Sequence, residues 1–194
     1  MNDVAFYFET GWQHIISWNA ADHILFIIAL AAIYLAQNWK QVLVLVTAFT
    51  IGHSLTLALS VYDVIRFKEN WVEFLIPCTI IATGIFNFFV KGYQPQSLRI
   101  NYFLALFFGL IHGMGFANTI RFMLAAKQQI AIPLLSFNIG LEAGQIAVVS
   151  LVLLISYLLV NKLKLNRKWW VWSLSIMAIV VAARMVVERW PLLK

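Results

Sequence analysis

Six long apolar runs decide what this chain can fold into. They cover roughly 20–36, 41–62, 71–90, 101–123, 131–160 and 169–190, and about 20 apolar residues cross a bilayer as a helix. The expectation is all-α: an integral membrane bundle of about six transmembrane helices, forming a single transmembrane domain over 1–194. Charged residues are only 11% of the chain and mean hydropathy is +0.84, whereas soluble domains carry roughly a quarter charged residues. That difference leaves membrane protein as the only comfortable class.

The segments between the runs are short, and none is long enough for a separate soluble domain. Residues 1–19 read as an interfacial segment before the first span, with Trp12 and Trp18 at headgroup level. The N-terminus has no basic stretch and no cleavage site, so no removable signal peptide is expected. One cysteine, Cys78, rules out an internal disulfide and reads as a buried apolar residue. The net charge of +6 is spread over the loops. It reads as membrane-surface chemistry and not as a nucleic-acid patch. The densest basic cluster is Lys162, Lys164, Arg167 and Lys168 in the last loop. It suggests cytoplasmic odd-numbered loops and outward-facing termini.

Within this apolar background the ionisable groups are unevenly placed. All four histidines, His14, His23, His53 and His112, lie in or just before spans, as do Asp22 and Glu142. Such groups are expensive in hydrocarbon, so they face a bundle interior and have partners. At the helical rise, His53 lies about 20 Å from Lys40, His112 about 20 Å from Arg99, and Glu142 about 14 Å from Pro133. Followed along the alternating spans, these depths converge on the half of the bilayer nearer the termini.

Their helix faces agree. Asn19, Asp22 and His23 share one face of the first span. Thr50, His53 and Ser54 share one on the second. Asn138, Glu142 and Gln145 form a stripe on the fifth. Glycine pairs, Gly109 with Gly113 and Gly140 with Gly144, read as packing devices for close helix contact. One buried histidine is most simply a hydrogen bond between helices. Four histidines and two carboxylates at one depth point to a cation.

Imidazole and carboxylate without a thiolate cluster suit nickel, cobalt, zinc or ferrous iron. The expected metal site is Asp22, His23, His53, His112 and Glu142, with His14 as a collecting ligand at the mouth. Asn19, Ser54, Asn138 and Gln145 would orient the ligands. The expected partners are the bilayer and the ion, with no nucleic acid and with a homo-oligomer left open.

The stretches HIISWNAADHILFIIAL, VTAFTIGHSLTLAL, FFGLIHGMGFA and FNIGLEAGQ together resemble the HupE/UreJ family of hydrogenase and urease accessory membrane proteins. The likeness runs in order over about residues 11 to 150. It implies a small nickel or cobalt permease in a bacterial inner membrane, with metal residues mapping to His14, Asp22, His23, His53, His112 and Glu142. The proline and glycine associated with the family's first motif are missing here, where Ile15 follows the histidine and alanines precede Asp22. Two other readings stay open. One is an intramembrane zinc hydrolase with Asp22 or Glu142 as base. The other is a scaffold whose histidines only join helices. No ATP-binding motif is present.

Overall fold

The computed structural model describes residues 3–17, 20–90, 98–124 and 130–191. Trp18, Asn19, residues 91–97 and most of the loop after the fourth run lie outside them. Seven helices follow in order: α1 Asp3–Ile16, α2 Ala21–Ala31, α3 Trp39–Val61, α4 Glu69–Phe89, α5 Leu98–Leu124, α6 Ala131–Ser156 and α7 Arg167–Glu188. A 3-10 turn, Ala36–Asn38, leads into α3, and a π turn, Tyr157–Lys162, extends α6. No strand occurs among the described residues. An isolated apolar backbone in lipid can satisfy its N–H and C=O groups only by coiling on itself, which is why each apolar run becomes a helix.

Among the described residues five helical stretches are long and apolar enough to cross a membrane, and six if α1 and α2, bent by 66°, are counted as one span. This differs from the expected first span and from an interfacial 1–19 segment. The 11 residues of α2 reach only about 16 Å, half a bilayer. Counted as one span with it, α1 supplies the other half and packs lengthwise on α6. Along α2, Asp22 meets Arg189 at the end of α7, Asn87 of α4 donates to the Ala29 carbonyl at 2.8 Å, and Arg167 at the start of α7 donates to the Ile33 carbonyl at 2.6 Å. So α2 runs antiparallel to α7 and finishes at the opposite end of the bundle.

Two helix pairs form the centre, each closed by glycines that interlock. A Cβ on Gly109 of α5 would strike the Phe49 carbonyl of α3, and one on Gly52 of α3 would strike the Leu106 carbonyl of α5. The α1–α6 pair repeats the device, with Gly11 against the Phe137 carbonyl and Gly140 against that of Phe8. Backbones this close leave no room for any side chain. Gly109→Val should therefore lower the melting temperature of the purified protein, by about 1–3 kcal/mol of stability. An unchanged thermal transition would show that the pair is looser than described.

The loop after α3 is fastened by polar contacts. Helix α3 ends in a left-handed residue, Asp63 with φ 60. The Val64 N–H reaches the Leu59 carbonyl at 2.9 Å and the Asp63 N–H reaches that of Ser60 at 3.0 Å, the paired bonds of a Schellman end. Arg121 of α5 also donates to the Ser60 carbonyl and lies 3.4 Å from the Asp63 carboxylate. Outside, large apolar side chains such as Phe103, Leu135, Leu151 and Val180 stand exposed, as a lipid-facing surface requires.

Candidate metal centre

The break in the first span is where the histidines meet. His14 closes α1, and Asp22 and His23 open α2 one short turn later. The first N–H groups of a helix lack partners within it. Here the His23 N–H donates to the Asp22 Oδ1 at 2.9 Å, and the carboxylate charge suits the positive end of α2. The same Oδ1 lies 3.0 Å from His23 Nδ1. That bond fixes the ring and turns Nε2 away from the carboxylate.

Two helices deliver the remaining groups. His53 comes from the middle of α3 and His112 from α5, both fully buried. Ring centroids stand 4.5 Å apart for His14 and His23, 5.8 Å for His14 and His53, 6.1 Å for His23 and His53, and 5.1 Å for His23 and His112. One nitrogen from each of His14, His23 and His53 lies within 4.8 Å of the other two. Nitrogens bound about 2.1 Å from one ion in tetrahedral geometry sit about 3.4 Å apart. The cluster needs to contract by only about an ångström or so to grip an ion.

The chemistry of the donor set fits. Five ring nitrogens, His14 Nε2, His23 Nε2, both of His53 and His112 Nδ1, are buried with no hydrogen-bond partner in the protein. Such a group costs about 1–3 kcal/mol when left unpaired. His23 Nδ1 is engaged by Asp22, and His112 Nε2 lies 3.0 Å from the Thr79 hydroxyl. Aromatic rings wall the cluster: Phe116 and Phe137 beside His14, and Phe26 and Phe49 beneath His112. A cavity of about 420 Å³ reaches His14, Asp22, His23 and His112 from the side where α4 begins and α7 ends, with Gln13, Glu73 and Arg189 also lining it.

The expected residues thus divide. His23, His53 and His112 come together as anticipated. His14, expected at the mouth, stands inside the cluster. Asp22, expected as a ligand, points one oxygen at His23 and the other at Arg189, so in this arrangement it orients the ring. Glu142 does not join them. It accepts from the Thr47 hydroxyl at 2.7 Å in a separate cavity shared with Thr50, Ser54 and Asn138. Gln145 accepts from Thr50 at 2.8 Å. The reason is α1: it occupies the Phe137–Leu141–Gly144 face of α6, leaving the polar stripe to face α3. Asn19 lies outside the described residues.

Sequence reading missed Thr79 and Arg189. Thr79 lies in the interior of α4 and gave a signal through its position, about 15 Å from Glu69 where α4 begins. Arg189 gave none beyond being a cation at the end of the last run. The neighbouring Arg184–Glu188 pair is an exposed surface ion pair at 2.6 Å.

The sequence model of the HupE / UreJ protein family matches residues 1–189. The chain belongs to that family. No curated protein and no solved structure matches it. In this HupE / UreJ protein three of the four quoted motifs carry His14, His23, His53 and His112 to one place, whereas the fourth, FNIGLEAGQ, supplies, through Phe137, a wall of that place and, through Glu142, a different one.

Proposed function

We propose that this HupE / UreJ protein passes a divalent transition metal, nickel or cobalt, across a bacterial inner membrane. The family's association with nickel and cobalt gives the choice of ions. The observation that carries the reading is the buried trio of imidazole nitrogens at the broken first span, reached from one side by an open cavity. Broken helices with their sites at mid-membrane are the usual device of small transporters.

The steps follow from the side chains. A cation entering the cavity exchanges water for His14, His23 and His53. Asp22 keeps His23 in the tautomer whose Nε2 is free to bind. His112 offers a second station 5.1 Å from His23. Beyond it the route is narrowed by Phe26, 5.1 Å from His112 and 5.9 Å from Phe108. Phe108 then lines a second cavity of about 220 Å³ with Tyr34, Thr83, Asn87 and Asn101. Thr79, Thr83 and Asn87 recur every fourth residue along α4 and are all buried. Polarity thus continues towards the far face, which favours passage over a site with a closed floor.

A zinc hydrolase needs a free base near the metal. Asp22 is held between His23 and Arg189 and is poorly placed for that role. A pure scaffold would satisfy its imidazoles with protein partners, contrary to the five unpaired nitrogens. Protein in liposomes should accumulate nickel or cobalt faster than protein-free vesicles, and His23→Ala should abolish the difference. Equal rates with and without protein would end the permease reading.

A further inference from the structure

Arg189 is the one permanent cation among the described residues lining the cavity that reaches the histidines. It follows directly on α7, with its N–H on the Met185 carbonyl at 2.9 Å, so its backbone is anchored. Its Nη1 lies 3.1 Å from the Asp22 Oδ2, and the two side chains are only 25% and 11% exposed. The carboxylate is therefore shared between two claimants: His23 takes Oδ1 and Arg189 takes Oδ2. A fixed positive charge beside the mouth of a cation site opposes the ion in two ways. It repels it through space, and it neutralises the acid that would otherwise strengthen His23 as a ligand.

Resting on the metal reading above, we propose that Arg189 is a tethered competitor for Asp22 that keeps the histidine site at moderate affinity. It releases the carboxylate as the ion arrives and reclaims it as the ion leaves. A passage site needs this, because an ion held too firmly does not depart. Arg189 touches no ion itself; it acts through Asp22, as a positioning residue.

The test is equilibrium nickel binding to purified protein, with uptake measured in parallel. Arg189→Gln should tighten binding about tenfold or more and slow uptake at saturating metal. Arg189→Lys keeps the charge but loses the planar fork, and should fall between the two. A purely structural role for Arg189 predicts the opposite sign, weaker binding in both variants. No tightening in any variant that folds overturns the proposal. Absence of nickel binding by the unaltered protein would instead overturn the metal reading itself, so the two failures are separable.

Discussion

Replacing His53 with leucine should give a protein that folds normally and no longer retains metal. His53 is 0% exposed and neither ring nitrogen has a protein partner, so the substitution breaks no hydrogen bond. Leucine fills a similar space against Phe49 and Phe137, the rings flanking His53. Exchanging an unpaired buried polar group for an apolar one of like shape is neutral or stabilising. The thermal transition should therefore stay or rise. Metal affinity should fall by more than about a hundredfold, because losing even an outer partner of a ligand costs about 10–100-fold. Elemental analysis of purified protein beside a melting curve reads both quantities. If histidines merely join helices, the result reverses: stability falls and there is no metal to lose. Metal content equal to that of the unaltered protein would remove His53 from the site.

The bundle was legible because lipid leaves the backbone few options. Each run longer than about 18 apolar residues became a helix within a few residues of its expected limits. The histidines were legible for a related reason. A group that hydrocarbon penalises is kept only where something meets it, and helical rise alone placed His53 and His112 at matching depth.

What the sequence hid was rotation and long-range partnership. The stripe of Asn138, Glu142 and Gln145 was read correctly as one face, but nothing in α6 itself says which neighbour that face meets. Thr47 and Thr50 meet it, because α1 takes the other face. The bond between Asp22 and Arg189 joins residues 167 positions apart, and no local pattern announces it. Residues 3–16 were the hardest to place. Asp3, Glu9, Thr10, Gln13 and His14 make the segment too polar to read as a span, yet Thr10, Gln13 and His14 line the cavity. The polarity of those three faces the cavity, while Asp3 and Glu9 stand exposed.

On the proposed metal reading that placement makes α1 a ligand carrier, and Gly11→Val should expose it. A side chain at Gly11 would meet the Phe137 carbonyl and, at 2.9 Å, the Leu141 nitrogen. Both are α6 backbone and neither can yield. The only relief is for α1 to move off α6. His14 lies one turn further along α1, 5.7 Å from the Phe137 ring and 4.5 Å from His23, so a shift of an ångström or two at Gly11 carries His14 out of reach of the other imidazoles. The expected cost is about 1–3 kcal/mol in stability and a loss of metal affinity as large as that of His14→Ala, although no ligand has been altered. The decisive measurement is the double variant. If Gly11 acts by displacing His14, then Gly11→Val adds nothing to the binding defect of His14→Ala, as coupled sites require. Two independent, additive losses would mean that His14 holds its position without α6, and that the glycine contact serves stability alone.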